Sequence, residues 1–590
     1  MSTTKRLAAR LAVLAAGLAS AGLIAPAVRA ADVTYERLLN APNEPENWLM
    51  VHRDYNNSRH SPLTAINAAN AHDLKPKFIF SIGGVATGGS TLRGKEEATP
   101  LVDDGFMYVN DTWGRVMKFD VRSGDAAVPL WRYDPKIKQS RTQRGIAMYG
   151  NKIFIGTNDM RLIALNRDNG EVVWEVDAKA PTDPATGTPS PKTQGFTGAP
   201  VVIKTKSGRE LVLQGESTGG QLGTRSWVGA WDVNDGKLAW RTFTIPAPGE
   251  PGSETWKDNH NAWRVGGGGV WQSASYDPDT NLVFYGTGDA FPSFDPQFRP
   301  GDNLFTASTI ALDADSGKIT WYFQETPNEH WDFDTPSPKM LYQVNINGEQ
   351  RKVVANFSRN GFYYTLDRIN GQFLRADPYQ EKITWTKGID PKTGRPLDYN
   401  PDAAVQVYAG HGVMREKPGE ESCPWWNGAP TFFPPTLDAK RMVAYVAGAE
   451  GCMSRTAVKT PMDEKKDYVG LPPCCTDQGR VTAHGALWAM DLRTGKVVKK
   501  VTFQPPTESG MLSTDGGVLA TGHMTGKFSV YNADTLEELY SFSLGTPITA
   551  PPMTYSINGK QYIAVVAGAG VGVRGGGLYQ PAAIVAVFGL

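Results

Sequence analysis

One short phrase recurs along the chain and limits the folds that the chain can adopt. Each copy has apolar residues, then Asp or Asn, then usually Gly four positions later, and in the strongest copies Trp eight positions later. Seven copies are centred on Asp120, Asn166, Asp232, Asp313, Asp367, Asp491 and Asn532, the last of which lacks the glycine. Asp or Asn starts a tight turn, and Gly supplies the positive φ that the turn needs. The phrase therefore predicts one type of β-hairpin at seven places.

Seven similar hairpins in one chain are typical of a β-propeller. The interval between Asp367 and Asp491 is the longest between neighbouring copies, and a strand at 442–447 is predicted to belong to an eighth blade there. The apolar residues 583–588 are predicted to form a strand that closes the ring. We therefore predict an all-β, eight-bladed β-propeller over 31–590 as a single domain. A pair of β-sandwiches is the alternative, but it does not require one phrase at seven places.

The first thirty residues have the pattern of a secretory signal peptide. Lys5, Arg6 and Arg10 precede an uncharged, mostly apolar run at 11–24, and small residues flank a cleavage point after Ala30. A retained membrane anchor is the alternative, but the apolar run is short and rich in Ala and Gly for a span. We expect a signal peptide at 1–30, no stable membrane insertion, and export of the mature protein.

Charge and cysteine content narrow the partners. Lys plus Arg and Asp plus Glu each number 60, so the formal charge is zero, which argues against a nucleic-acid partner. The four cysteines are Cys423, Cys452, Cys474 and Cys475, and an exported protein can keep them in disulfides. None belongs to a Cys-x-x-Cys-His motif, so no c-type haem is expected on this chain.

The repeated phrase resembles the tryptophan-docking motif of PQQ-dependent (quinoprotein) alcohol dehydrogenases of the methanol and ethanol dehydrogenase type, where PQQ is pyrroloquinoline quinone. Other stretches that resemble the family are 48–63, 97–102, 196–200 and 285–288, so the likeness extends from about Trp48 to Phe588. The resemblance implies an eight-bladed propeller that oxidises an alcohol with PQQ held over a metal ion, Ca²⁺ or a lanthanide.

Two motifs are candidates for the core of the site. Glycines at 266–269 would let a flat ligand approach the backbone, and Trp271 would offer it a rigid face, although a glycine-rich turn with a core Trp is the alternative. On a strand, Asp332 and Asp334 would lie on the same face, so both carboxylates can point to one side. They then repel each other unless a cation or proton lies between them. Two surface aspartates at a strand end are the alternative. By resemblance, Trp271 is the floor under PQQ, Asp332 is the catalytic base, and Asp334 marks the lanthanide subgroup.

Two further metal positions depart from the family pattern. Gln221 stands where the family carries Glu, and Asp289 stands where it carries Asn. One anion is lost and one is gained, and an amide oxygen can still coordinate a hard cation. We therefore expect a rearranged metal site formed by Gln221, Asp289, Asp332 and Asp334, with the choice between Ca²⁺ and a lanthanide left open.

Further contacts to PQQ follow only from the resemblance. Arg359 matches the catalytic arginine that reaches the quinone oxygens, where a guanidinium can stabilise negative charge. Additional predicted PQQ contacts are Glu97, Arg144, Thr197, Thr218 and Asn427, each of which would by itself fit a turn or surface role equally well. No Trp occurs around 508–510, where methanol-oxidising relatives carry one, which suggests a different pocket edge.

The cysteines are also interpreted through the family. Cys423 and Cys452 match a structural disulfide. The adjacent pair Cys474 and Cys475 fits either a vicinal disulfide near PQQ or a bridge that only stiffens a loop, and both alternatives stay open. The adjacent cysteines that relatives carry shortly before the segment matching Arg144 are absent here.

The resemblance implies a mechanism and a set of partners. Asp332 would take the alcohol proton, the metal would polarise the quinone, and a separate cytochrome c in the periplasm would receive the electrons. The long segments 377–411 and 454–470 would line the pocket and favour a larger primary or secondary alcohol. A homodimer stays open. The alternative function is a non-catalytic propeller scaffold of the outer-membrane assembly type, while a six-bladed aldose-type quinoprotein has fewer blades than the phrase predicts.

Overall fold

Nearly every regular element of the chain is a β-strand. A computed structural model describes residues 31–83, 94–179, 183–185, 187, 194–218, 223–415, 421–425, 428, 430–460, 475–477, 483–568 and 583–590. Within these, the one α-helix is α1, Tyr35–Leu39, and the short 3-10 helices are Ala41–Asn43, Ala71–Asp73, Ser253–Thr255, Ala262–Val265 and Pro296–Phe298. No helix among these residues has the length and apolar character needed to cross a bilayer. The predicted signal peptide at 1–30 lies outside the described residues.

The strands are numbered in chain order. The first eighteen are β1 His60–Ser61, β2 Lys75–Gly83, β3 Leu101–Asp103, β4 Phe106–Asn110, β5 Val116–Asp120, β6 Val128–Tyr133, β7 Ala147–Tyr149, β8 Lys152–Gly156, β9 Arg161–Asn166, β10 Val172–Asp177, β11 Val201–Lys204, β12 Glu210–Gly215, β13 Trp227–Asp232, β14 Leu238–Phe243, β15 Ser275–Asp277, β16 Leu282–Gly286, β17 Ser308–Asp313 and β18 Ile319–Gln324. The others are β19 Met340–Ile346, β20 Glu349–Phe357, β21 Phe362–Asp367, β22 Phe373–Pro378, β23 Thr436–Asp438, β24 Val443–Gly451, β25 Arg455–Ala457, β26 Cys475–Asp477, β27 Ala483–Asp491, β28 Lys496–Phe503, β29 Leu512–Thr514, β30 Val518–Gly522, β31 Lys527–Asn532, β32 Glu538–Ser543, β33 Met553–Ile557, β34 Lys560–Ala567 and β35 Ala583–Gly589.

These strands form the eight sheets of an eight-bladed β-propeller, as predicted. Blades 1 to 5 are the consecutive groups β3–β6, β7–β10, β11–β14, β15–β18 and β19–β22. Blade 6 contains β23, β24, β27 and β28; blade 7 contains β29–β32 with β1 at its edge; and blade 8 contains β33–β35 with β2. A separate two-stranded ribbon joins β25 and β26. Residues Asp32–Leu590 make one compact unit.

The recurring phrase joins the third and fourth strands of seven blades, and its tryptophans connect neighbouring blades. In blade 3, Trp240 lies where a Cβ on Gly317 of blade 4 would be, 2.4 Å from its ring. Its indole Nε1 donates to the carbonyl oxygen of Ala314 at 3.0 Å. Gly317 has φ +73°, so the turn and the docked ring both require glycine. The same packing joins Trp131 to Gly170, Trp174 to Gly236, and Trp321 to Gly371.

The predicted location of the eighth blade is wrong. The strand expected at 442–447 is β24, and it pairs with β27, which carries the Asp491 copy, so both belong to blade 6. The eighth blade instead combines β2 from the beginning of the chain with β33–β35 from its end. No copy of the phrase is needed there, because the pairing partner of β35 is distant in sequence. The predicted closing strand is confirmed, since β35 pairs antiparallel with β2 and β34.

Blade geometry places the loops of the site on one face. The first strands, such as β3 and β15, are fully buried, whereas the fourth strands, such as β6, are largely exposed, so the first strands lie innermost. In an antiparallel sheet, the start of the first strand lies beside the end of the second, so both are on the same side of the blade. Segments that precede first strands or follow second strands therefore meet around the centre of one face.

Candidate active site

Three backbone segments lie side by side at this face and carry the predicted core residues. The segment 266–271 precedes β15, 286–289 follows β16, and 332–335 precedes β19. The amide of Gly288 donates to the carbonyl of Gly269 at 2.7 Å, and the amide of Thr335 donates to the carbonyl of Thr287 at 3.1 Å. These bonds hold the segment of Trp271 against those of the aspartates.

A glycine makes this close approach achievable. A Cβ on Gly286 would lie 1.6 Å from the carbonyl oxygen of Thr335, which no side chain can tolerate. The first residue of the sequence Gly-Thr-Gly-Asp at 286–289 is therefore required by packing, and the last residue, Asp289, is delivered directly beside Asp334.

Three buried carboxylates converge at this point. Asp289, Asp332 and Asp334 each offer an oxygen, and these oxygens all lie within 4.8 Å of one another. Hard cations bind carboxylate oxygens at about 2.3–2.6 Å, so two ligands of one ion are at most about 5 Å apart. The spacing therefore fits a single hard cation held by all three aspartates. Asp289 Oδ2 is buried with no hydrogen-bond donor among the described residues.

One arginine partly compensates this negative charge. Arg359 Nη1 donates to the Asp332 carbonyl at 2.7 Å and to its Oδ1 at 2.9 Å, and Nη2 lies 3.2 Å from Asp334 Oδ2. Burial and the neighbouring Asp334 raise the pKa of Asp332 well above its usual range, with Arg359 opposing. Burial and the other two carboxylates likewise raise the pKa of Asp289. A cation among them would favour the ionised forms.

Glu329 is a buried acid near this cluster that the sequence reasoning missed. Burial raises its pKa to about 7, although amide donors and Arg299 oppose the rise. Its charge acts on Asp289, Asp332 and Arg359 as well. The only signal in the sequence is an acidic residue three positions before Asp332.

Trp271 and its neighbours form the second part of the site. Trp271 is half-buried, and the guanidiniums of Arg144 and Arg359 lie 4.7 and 5.6 Å from its ring centroid. Arg144 Nη1 donates to Thr197 Oγ1 at 2.6 Å, and its Nε lies 2.8 Å from Glu97 Oε2. Burial raises the pKa of Glu97 to about 7, and Arg144 opposes that rise. Four predicted cofactor contacts are thus brought together with Arg359.

Of the other predicted residues, Thr218 belongs to a separate hydrogen-bonded network and the rest fall wholly or partly outside the described residues. Thr218 donates its hydroxyl to buried Glu216, whose other oxygen accepts from Ser226 at 2.7 Å, so Thr218 belongs to a hydrogen-bonded network in the loop after β12. Gln221, Asn427 and Cys474 lie outside the described residues, and of Cys475 only the backbone, in β26, is described.

Known proteins with similar sequences identify the family of this chain. The family model described as "Glucose/ethanol/alcohol dehydrogenase, beta-propeller domain" matches residues 48–378, more than half of the chain. Quinohemoprotein alcohol dehydrogenase ADH IIB of Pseudomonas putida is 34% identical over 96% of this chain and 77% of its own. This chain belongs to the PQQ-dependent alcohol dehydrogenases. It is an oxidoreductase that acts on the CH–OH group of an alcohol with PQQ as cofactor.

Two further relatives cover almost the whole chain. Quinoprotein alcohol dehydrogenase PedH, also of Pseudomonas putida, is 32% identical over 93% of this chain and 91% of its own. The solved structure of a europium-containing methanol dehydrogenase superposes with a TM-score of 0.81 at 28% identity, over 94% of this chain and all of that one. Fold and family therefore agree with the resemblance drawn from the sequence.

The residues around Trp271 fit PQQ in shape and charge. PQQ is a flat quinone with three carboxylates, and the site combines the half-buried indole of Trp271 with the guanidiniums of Arg144 and Arg359 and the hydroxyl of Thr197. The three aspartates fit a hard cation beside it. The guanidiniums and the hydroxyl around Trp271 thus suit an anionic quinone, and the three carboxylates suit a hard cation.

One edge of the quinoprotein site is formed by an ion pair at 508–510, the place where the sequence has no Trp. Lys95 Nζ lies 2.5 Å from Glu508 Oε2 and 5.0 Å from the ring centroid of Phe432. Arg144 lies 5.3 Å from the same ring. Lys95 and Glu508 are 413 residues apart in sequence, so no local pattern predicts their pairing.

Aromatic residues of the long segment after β22 pack against the loop that carries Asp332 and Asp334. Trp385 and Tyr408 lie 5.6 and 5.9 Å from the ring centroid of Trp331, which immediately precedes Asp332.

The predicted disulfide is present: Cys423 and Cys452 are bonded, with Cα atoms 4.3 Å apart. The bridge joins the end of the long segment after β22 to the residue after β24.

Proposed function

We propose that this enzyme is a periplasmic dehydrogenase that uses PQQ and a metal ion to oxidise a larger primary or secondary alcohol, and that it passes the electrons to a separate cytochrome c. The observation that carries the proposal is the group of three buried carboxylates paired with Arg359 beside Trp271. Family membership gives the reaction class, and the geometry of these residues supports the roles proposed for them.

Asp332 is the proposed catalytic base. When bound, PQQ supplies a quinone that accepts two electrons, and the metal ion supplies a Lewis acid. The Asp332 carboxylate takes the hydroxyl proton of the alcohol, and Arg359 holds Asp332 through one hydrogen bond to that carboxylate and one to the backbone carbonyl of the same residue. Burial raises the pKa of Asp332, and a neighbouring cation would favour the ionised form that acts as the base.

Asp289 and Asp334 are the proposed principal metal ligands, together with Asp332 and with Gln221 from its loop. Three carboxylates balance the charge of a trivalent ion and leave an excess negative charge around a divalent one, which favours a lanthanide over Ca²⁺. The similar methanol dehydrogenase contains europium, which is consistent with this preference. The proposed PQQ contacts are Trp271, Arg359, Glu97, Arg144, Thr197, Thr218 and Asn427.

Location, acceptor and substrate are inferred from the sequence and the pocket edge. The signal pattern at 1–30 supports export to the periplasm, and the lack of a Cys-x-x-Cys-His motif supports a separate cytochrome c. Lys95 and Glu508 occupy the edge at which methanol-oxidising relatives are expected to carry Trp. A different edge supports a substrate other than methanol.

Reconstitution tests the proposal directly. Apo-protein is loaded with PQQ plus Ca²⁺ or La³⁺, and dye reduction is followed with short, long and secondary alcohols. We expect activity with at least one ion, and a loss of about 10²–10⁴-fold in kcat for Asp332→Asn with PQQ still bound. Inactivity with both ions would overturn the enzyme assignment of these residues, and activity that survives Asp332→Ala would overturn the assigned base.

A further inference from the structure

Glu329 contacts the backbone on both sides of Asp332. Its Oε1 accepts hydrogen bonds from the amides of Trp331 at 2.5 Å and Phe333 at 2.7 Å. Between these two amides, Asp332 has φ +67°, in the left-handed region. A residue with a Cβ rarely adopts that conformation, so the surrounding structure must hold it there. One carboxylate oxygen that binds both flanking amides does so.

Arg299 fixes the start of the same loop to the segment of Asp289. Its Nη2 donates to the carbonyl of Glu329 at 2.6 Å, and its Nε donates to the carbonyl of Pro292 at 3.0 Å. Pro292 follows Asp289 by three residues, and Arg299 is fully buried. A single guanidinium thus joins the loop of Asp332 and Asp334 to the loop of Asp289.

A direct role for Glu329 as a fourth metal ligand does not agree with the geometry. The carboxylates whose oxygens lie within 4.8 Å of one another are those of Asp289, Asp332 and Asp334, without Glu329. Its Oε1 is already bound by two amides. Glu329 therefore acts on the cluster through the backbone that carries it.

We propose that Glu329, supported by Arg299, is a positioning residue that sets the conformation of Asp332 and thereby the geometry of the metal site. This inference rests on the proposed function for the roles of Asp332 and the ion. It assigns the acceptor oxygen of Glu329, rather than its negative charge, as the feature that the site requires.

A pair of uncharged variants separates these two features. Glu329→Gln removes the charge and keeps an oxygen that can accept from both amides, whereas Glu329→Met has a similar size and removes the acceptor as well. The probe is Tb³⁺, titrated into apo-protein and followed by luminescence sensitised by nearby tryptophans. We expect Glu329→Gln to bind Tb³⁺ within about threefold of wild type and Glu329→Met to bind it at least about tenfold more weakly.

Glu325 provides a matched control. It is as buried as Glu329 and lies four residues earlier, but it binds Thr309 Oγ1 at 3.0 Å and lies 3.7 Å from Lys339 Nζ. Glu325→Met should lower thermal stability without weakening Tb³⁺ binding. Thermal unfolding and circular dichroism of all three variants report whether each is folded.

Turnover gives a second measurement on the PQQ-loaded enzyme. Glu329→Met should lower kcat at least about tenfold while the KM for the alcohol changes less than about threefold, and Glu329→Gln should restore most of kcat. Equal weakening of Tb³⁺ binding in the Gln and Met variants would overturn the inference in favour of a charge effect. Unchanged binding in the Met variant would overturn it too, because neither the charge nor the acceptor oxygen of Glu329 would then matter to the metal site. Should wild type bind Tb³⁺ yet oxidise no alcohol, the proposed function fails, while the order of the Tb³⁺ affinities still decides the role of Glu329.

Discussion

Asp289 adds a carboxylate at a position where the family pattern carries an amide, and its effect is measurable at the level of one charge. Asp289→Asn keeps an oxygen ligand of nearly the same size and removes one negative charge from the cluster. A trivalent ion loses more Coulomb stabilisation than a divalent one. We therefore expect the La³⁺ affinity of the apo-protein to fall at least about tenfold and the Ca²⁺ affinity to fall less, as measured by competition against Tb³⁺.

A second carboxylate variant serves as the comparison for Asp289→Asn. Asp295 is also buried and lies six residues later, but it is paired with Arg415 at 2.7 Å. Asp295→Asn should leave both metal affinities nearly unchanged. Equal losses of La³⁺ and Ca²⁺ affinity in Asp289→Asn would contradict a charge-based preference for trivalent ions.

The sequence predicted that Asp332 and Asp334 lie together from their spacing, and it placed Asp289 with them only through the resemblance to the family. Asp332 and Asp334 lie two residues apart on one segment, although the left-handed φ of Asp332 means that this segment is not the strand that the sequence reasoning assumed. Asp289 ends a Gly-Thr-Gly-Asp run whose first glycine is needed for packing. Glu329 escaped notice because its spacing from Asp332 has meaning only once the left-handed φ of Asp332 is known. Long-range pairs such as Lys95 with Glu508 have no local signature at all.

At the scale of the element, the docked tryptophan is the device that joins blades 1 to 5. Gly317→Ala adds a Cβ at positive φ directly against Trp240, whereas Gly348→Ala adds one at φ +89° with nothing within 4 Å. Both variants bear the backbone cost of about 1 kcal/mol, but only Gly317→Ala also displaces a docked ring. We expect urea unfolding to show a loss for Gly317→Ala that is larger by about 1–3 kcal/mol. Equal losses would mean that Trp240 adjusts freely.

Blade 5 uses an arginine where its neighbours use the docking tryptophan. Arg375 pairs with Thr365 as Trp240 pairs with Ala230, and its Nη2 donates to the carbonyl of Leu492, the residue after Asp491. In three of the tryptophan copies, the indole donates to the carbonyl at this same place: Trp131 to Arg167, Trp174 to Val233 and Trp240 to Ala314. A planar guanidinium therefore replaces the indole. The phrase predicted the hairpin but not this substitution, because both Trp and Arg can supply the hydrogen-bond donor that is used at this position.

Asp377, two residues after Arg375, makes this junction sensitive to pH. Its carboxyl group lies where a Cβ on Gly495 would be, and burial raises its pKa to about 6, with Arg375 opposing. The unfolded value is about 3.9, so between about pH 4 and 6 the folded state binds more protons than the unfolded state. The contribution of Asp377 to stability therefore falls as pH rises through that window.

Asp377→Asn should remove this dependence. We expect the free energy of unfolding of the variant, relative to wild type, to rise by about 2–3 kcal/mol between pH 4 and pH 7.5. Urea unfolding at a series of pH values measures the difference. Parallel curves for the two proteins across this range would show that Asp377 is ionised in the folded state throughout.

At the scale of the whole molecule, the ring depends on contacts between the two ends of the chain. β2 pairs with β35 from Lys75 with Gly589 to Gly83 with Ala583. Such pairing has no repeated phrase, which is why the sequence predicted the closing strand correctly but placed the eighth blade elsewhere. Strand propensity reports local structure, whereas the partner of a closing strand is set by the geometry of the other seven blades.

Phe588 tests how strongly this closure holds the propeller together. Its ring stacks on Phe528 of blade 7 at 4.5 Å, and it also contacts Tyr540 and Phe542. Phe588→Ala removes a fully buried ring at the junction of blades 7 and 8 and should cost about 3–5 kcal/mol. Leu590→Ala, two residues later at 47% exposure, should change stability by less than about 0.5 kcal/mol.

Cooperativity is the measurement that distinguishes a closed ring from eight loosely connected blades. If β35 closes the ring, Phe588→Ala should lower the urea midpoints seen by tryptophan fluorescence and by far-ultraviolet circular dichroism by the same amount, because the tryptophans of blades 1 to 4 lie far from Phe588 in sequence yet depend on the same closure. An early partial transition confined to one signal would instead mean that blades 7 and 8 separate while the remaining blades stay folded. That result would assign the stability of the propeller to its docked tryptophans rather than to its closing strand.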